Sequence, residues 1–238
     1  MDRAVCPLHF AFFSNLYILS KETYMTTNFS RLSSAALLIT SAALSANAQN
    51  DPDRAVSGNG KFPAGWNARA DRGSADQLVF TQTGDVFHFT MGSAGTFYRA
   101  DWTKTGDRKF SARLTQLKAP SHPISYGLMI GGSDMAGPNQ TYSYFLVRNE
   151  GEFFIANKEG NARPTTVVDW TPNAAIVKQA ADGRQTNTLG IQVQGDNVIF
   201  MVNGKEVTRL PKSKLHTDGL YGFRIGHNLD VDVDQVSR

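Results

Sequence analysis

The chain is nearly free of cysteine. Its single thiol, Cys6, sits near the start, so disulfide staples, cysteine-ligated zinc and a thiol nucleophile are excluded from everything downstream. No fixed repeat occurs, which argues against a β-helix or other solenoid. No amphipathic pattern of helical period runs for any length either, which removes the helical bundles. Charge of neither sign dominates: 24 Lys and Arg stand against 21 Asp and Glu, for a net +3 scattered along the sequence. A nucleic-acid partner is therefore not expected. A G-x-S-x-G elbow is missing. The histidines His88, His122, His216 and His227 lack ligand spacing such as H-x-x-x-H, so the sequence gives little weight to zinc.

What is present begins with a leader. From Met25 the chain reads MTTNFSRLSSAALLITSAALSANAQ, with one basic residue (Arg31), an apolar core from Ala35 to Leu44 and then Ala46-Asn47-Ala48. This is the order of a secretory signal, and the apolar run is too short for a membrane span. Residues 25–48 are read as a signal peptide cleaved after Ala48, in preference to an N-terminal helix. Residues 1–24 have no place in such a signal, which makes Met25 the expected initiator. Cleavage would remove Cys6 and leave a net charge of +2 in a secreted or periplasmic chain. Residues 49–76 are rich in Gly, Asp, Asn and Ala without periodicity. They read as an extended lead-in with Phe62 and Trp66 docked on the domain of residues 77–238.

That domain is organised around NTLGIQVQGDNVIFMVNGKEVTRL, residues 187–210. Leu189, Ile191 and Val193 alternate with polar residues or glycine, a period of two that gathers them on one strand face. Gly195-Asp196 and Asn203-Gly204 each offer a two-residue turn, the second being the strongest short-range hairpin signal. Val198, Phe200 and Val202 lie between them, with apolar neighbours on both faces. Similar short runs recur through the domain with turn residues between them, about a dozen in all, while 172–177 could form a turn of helix and 178–186 a surface loop. Many short strands in one chain predict an all-β, antiparallel two-sheet sandwich.

The order YGLMIGGSD (126–134), YSYFLVRNEGEFFI (142–155), VVDWT (167–171), LYGFRIGHN (220–228) and VDVDQV (231–236), with the central meander, resembles the concanavalin A-like lectin/glucanase jelly-roll superfamily. It is most similar to the bacterial envelope branch grouped with laminin-G-like modules and with 3-keto-disaccharide hydrolase-type domains. The resemblance covers residues 62–238. It implies a jelly-roll sandwich with a sugar or polysaccharide as ligand, and it is an analogy of fold.

Three constellations could carry chemistry. In glycoside hydrolases of that superfamily, paired carboxylates alternate on one strand, and Asp230 and Asp232 have that spacing. The other reading puts these aspartates on the solvent face while Val231 and Val233 point inward. Glu150 and Glu152 also alternate, beside a turn. No cofactor is expected beyond a possible calcium, for which Asp134 and Asn139, in a loop rich in backbone carbonyls, are the candidates, against the reading of an ordinary polar loop. Aromatics make the third set. Tyr142, Tyr144 and Arg148 share a strand face opposite Phe145 and Val147, and with Tyr126, Trp170, Arg224, His227 and Asn228 they are the expected sugar-stacking and hydroxyl-bonding residues. The tyrosines could equally pack at the core edge with their hydroxyls in water. The expectation is a secreted carbohydrate-binding module without catalysis. A hydrolase of polysaccharides or 3-keto-disaccharides and an envelope protein–protein module are the alternatives.

Overall fold

Alternation of apolar and polar residues becomes fourteen antiparallel strands in the computed structural model, which describes residues 51–238. They are β1 (Trp66–Ala70), β2 (Leu78–Thr83), β3 (Val86–Met91), β4 (Gly95–Lys104), β5 (Arg108–Gln116), β6 (Ser125–Ser133) and β7 (Thr141–Arg148), followed by β8 (Glu152–Glu159), β9 (Thr165–Pro172), β10 (Gln185–Gln194), β11 (Asn197–Val202), β12 (Lys205–Pro211), β13 (Gly219–Ile225) and β14 (Asp230–Ser237). Seven strands form a front sheet in the order β1-β4-β13-β6-β7-β8-β9, and seven form a back sheet in the order β12-β11-β10-β5-β14-β3-β2. This is the expected two-sheet sandwich. The leader assigned to residues 1–48 lies outside the described residues. Among the described residues no helix is long and apolar enough to cross a membrane.

The central meander folds as its turn residues require. Gln194 pairs with Asn197 and Val202 with Lys205, so both loops have two residues. Asn203 and Gly204 take φ of +50° and +77°, the left-handed pair of a type I′ turn, while at the other loop only Gly195 is left-handed. Leu189, Ile191, Val193, Val198, Phe200 and Val202 all enter the core. Each such side chain contributes about 1.5–3 kcal/mol when fully buried. Between the sheets lies a cluster of rings: Phe80 stacks on Phe89 at 4.5 Å, Phe89 meets Phe97 edge-on at 4.6 Å, and Trp66 meets Trp102 at 4.7 Å.

The lead-in is more than an approach to the domain. Trp66–Ala70 is the edge strand of the front sheet, paired with β4, so the sandwich begins before residue 77. Its pattern was hidden because the alternating partners of Trp66 are alanines, Ala68 and Ala70, which carry little apolar signal. Phe62 and Trp66 do dock on the core. Further back, Arg54 donates to the carbonyls of Met91 and Leu229 and to both oxygens of Asp230, latching the segment onto the back sheet.

The aspartates of β14 are thereby accounted for. Val231 and Val233 point into the core, and Asp230, Asp232 and Asp234 line the outer face of the back sheet. Each has a basic partner: Arg54 and Lys118 for Asp230, the His88 ring for Asp232 at 2.7 Å, Arg113 for Asp234 at 2.6 Å. His88 and Arg113 stand directly opposite their partners across β3 and β5, the position in which opposite charges stabilise a sheet. Asp230 and Asp232 thus take the solvent-face position, each held by a basic side chain from a distant segment.

Two predictions follow from these elements. A Cβ at Gly204 would meet nothing within 4 Å, so Gly204→Val is penalised by its backbone alone. It should lower stability by more than about 1 kcal/mol in urea unfolding, and an unchanged midpoint would place the turn wrongly. Burial by itself would raise the Asp230 pKa, but the hydrogen-bonded charges of Arg54 and Lys118 overcome it and hold it at about 2. The lowered pKa means stability that is complete above pH ~4 and disappears as pH falls through the folded value. After allowance for screening it amounts to about 1 kcal/mol. Wild type should melt above Asp230→Asn at neutral pH, with the gap closing between pH 4 and pH 2; a gap constant down to pH 2 counts against the assignment.

Candidate functional site

A strand in the middle of a sandwich has a second face, and in the front sheet that face is also rich in rings. On β7, Phe145 and Val147 enter the core while Tyr142, Tyr144 and Leu146 face outward; on β8, Phe153 and Ile155 enter while Phe154 and Ala156 face outward. The outward set joins Tyr98, Met129 and Trp170 in a separate apolar cluster. Phe154 stacks on Trp170 at 5.0 Å, and the Arg148 guanidinium lies 4.4 Å from the centre of the Trp170 ring, a cation–π contact.

Two clefts open on this face. The first, of about 340 Å³, lies between Arg69 and Asp71 at the end of β1, Tyr142 and Tyr144 on β7, and Lys158 and Arg163 at the β8–β9 turn. The second, of about 360 Å³, runs beside Leu146, Phe154 and Trp170 to His122 and His227. Tyr144 and Arg224 line both. Arg224 grips Asp71 with both terminal nitrogens, one at 2.7 Å, and lies 6.0 Å from the Tyr144 ring centre. Burial pushes the Tyr144 hydroxyl up to about 12, against the opposing charge of Arg224, so it stays a neutral donor and acceptor. Burial raises Tyr98 in the same way.

Tyr144, Trp170, Arg224 and His227, expected from the sequence as ligand contacts, are thus brought to one cleft, with Tyr142 in its neighbour. The openness of that surface is corrected. Tyr142 and Tyr144 are only 2% and 7% exposed, because Phe154, Arg224 and each other crowd their rings, and they present cleft walls in place of a flat platform. Tyr126 is a core residue, on the opposite face of β6, fully buried with its hydroxyl donating to Gln185. It is out of reach of a surface ligand. Asn228 holds the lead-in instead, accepting from the Arg54 amide and donating to Asp51 and the Pro52 carbonyl. Glu150 and Glu152 both pair with Arg148 at the β7–β8 turn.

The loop proposed for calcium has other partners. The Asp134 carboxylate accepts the Asn139 amide at 2.9 Å, and the carbonyls of Met135 and Gly137 are taken by the Arg69 guanidinium at 3.1 and 2.6 Å. The Arg69 guanidinium thus holds two of the carbonyls this loop carries. The Asp134 carboxylate and the Asn139 amide close this loop on itself.

Several cleft residues gave no signal. Arg69, Asp71 and Arg163 lie in segments read as lead-in or loop, and Lys158 was one polar residue among many. Phe154 could have been found: counting back from the Asn149-Glu150-Gly151 turn sets it opposite Leu146, on the tyrosine face.

The chain matches no family model and no curated protein. Among solved structures it is similar to the carbohydrate-binding module CBM66 from Bacillus subtilis, with a TM-score of 0.52 and 13% identity over 72% of this chain and 93% of that one. It is also similar to a mixed-linkage-glucan GH16 of Bacteroides ovatus in complex with a G4G4G3G product, with a TM-score of 0.46 and 12% identity over 72% of this chain and 94% of that one. At these identities the likeness speaks of fold. The chain has the concanavalin A-like jelly-roll fold that its strand order resembles.

Proposed function

We propose that this protein is an exported glycan-binding module that seats sugar rings in the two clefts of its front sheet and prefers acidic saccharides. The observation that carries the reading is the shared wall of Tyr144 and Arg224, with ring-bearing surface on one side and positive charge on the other. Stacked aromatics offer faces for sugar C–H groups, and the Tyr144 hydroxyl and Arg224 offer hydrogen bonds to hydroxyls.

Electrostatics supports the preference for acid. Four cations, Arg69, Lys158, Arg163 and Arg224, meet one carboxylate, Asp71, in the first cleft. Arg224 is neutralised by Asp71, whereas Arg69 and Lys158 donate to neutral carbonyls and keep their charge. A uronate carboxylate or sulfate would complete the set. The same inventory supports binding over hydrolysis: Asp71 is the single carboxylate among the described lining residues of both clefts, and retaining glycosidases need two about 5–5.5 Å apart. The reading of residues 25–48 as a signal supports export, since extracellular or periplasmic glycans are then the accessible ligands.

Calorimetry with uronate-containing and neutral oligosaccharides tests this. Uronates should bind more tightly, and their affinity should fall as salt rises, because partly exposed charges are screened. Trp170→Ala should weaken binding at least tenfold with little change in melting, and Arg163→Gln should weaken uronates while sparing neutral sugars. Equal affinity for acidic and neutral sugars defeats the charge argument. Absence of binding to any saccharide, or release of reducing ends on incubation, defeats the proposal.

A further inference from the structure

His122 and His227 stand 105 residues apart, yet the approach to β6 and the β13–β14 loop bring their Nε2 atoms within 3.3 Å of one another. We propose that these two nitrogens form a binding site for a divalent transition metal of the zinc class at the rim of the second cleft. Sequence spacing gave little weight to zinc, and the pairing of His122 with His227 arises only in the tertiary structure.

The geometry fits the metal. With Zn–N bonds of about 2.0–2.1 Å, two nitrogens on a tetrahedral centre lie about 3.3–3.4 Å apart. The histidine rings meet at 61° with centroids 5.3 Å apart, so neither stacks on the other. Each ring is oriented from behind by a carboxylate: Asp51 lies 2.9 Å from Nδ1 of His122, and Asp53 lies 3.0 Å from Nδ1 of His227. With a carboxylate behind each Nδ1, each Nε2 is the ring atom turned toward the other histidine, the carboxylate–histidine arrangement that prepares metal ligands.

Neither carboxylate is there by chance. Ser121 and Asn228 donate to Asp51, and the Arg54 latch anchors the short segment that carries both aspartates. Both histidines line the second cleft with Tyr144, Trp170 and Arg224, so the remaining coordination positions belong to water or to an oxygen of a bound ligand. Histidine nitrogen favours zinc, copper and nickel over calcium and magnesium.

The test uses the full chain without a polyhistidine tag and with no saccharide, so its outcome is separate from that of glycan binding. Titration with Zn²⁺ against a chromophoric chelator should give one ion per chain with micromolar affinity, and Co²⁺ should give the visible absorption of a four-coordinate site. His122→Ala and His227→Ala should each weaken binding at least tenfold, and Asp53→Asn, which leaves both ligands in place, by roughly 10–100-fold. Zn²⁺ should raise the melting temperature of wild type and not that of His227→Ala, provided each variant keeps a native circular dichroism spectrum. Wild type that takes up no Zn²⁺ at sub-millimolar concentration shows that the pair shares a proton in place of a metal, and overturns the proposal. Binding that survives both histidine substitutions overturns it as well.

Discussion

Phe223 lies near the centre of the front sheet, and its ring meets Trp66, Phe87, Phe89, Trp102 and Phe110 with centroids 5.6–6.1 Å apart. Those partners come from β1, β3, β4 and β5, so one cluster ties the edge and middle of the front sheet to the middle of the back sheet. Large rings bury more apolar area than any other side chains, and edge-to-face contacts add about 0.5–1.5 kcal/mol per pair. With this cluster in place, strand alternation leaves no choice about which residues face outward. The outer faces are consequences of the inner one.

The two outer faces differ in kind. The back sheet turns outward a row of aspartates, each bonded to a basic side chain, which suits a surface in contact with water. The front sheet turns outward Tyr142, Tyr144, Leu146, Phe154 and Trp170, apolar groups that a purely structural surface has no need to collect. Cations border this set, three of them without a carboxylate partner among the described residues.

Residues 51–54 couple these halves of the molecule. Arg54 is held by the back sheet through Asp230 and by the backbone of Met91 and Leu229, while its neighbours Asp51 and Asp53 reach the histidines at the rim of the front-sheet cleft. The segment has no strand or helix of its own. Its position rests on hydrogen bonds to loops far along the chain, and a loosened latch would release both carboxylates from the histidine pair.

Strand positions, the two-residue turns at Gly195 and Asn203, and the inward set from Leu189 to Val202 were legible because each rests on contacts between residues close in sequence, where a period of two and a positive φ leave a direct trace. The same alternation correctly assigned Tyr142, Tyr144 and Arg148 to one face and placed Val231 and Val233 in the core. It carried no information about which strands become neighbours. Tyr126 therefore looked like a ligand contact until β6 was set into the sheet with that ring inward, and the solvent face read for Asp230 and Asp232 gained its partners Arg54, Lys118 and His88 only from distant segments. The meeting of His122 with His227, and of Arg224 with Asp71, belongs wholly to the tertiary structure. A strand's own sequence decides what it turns to each side, and only the closure of long loops decides what stands there to meet it.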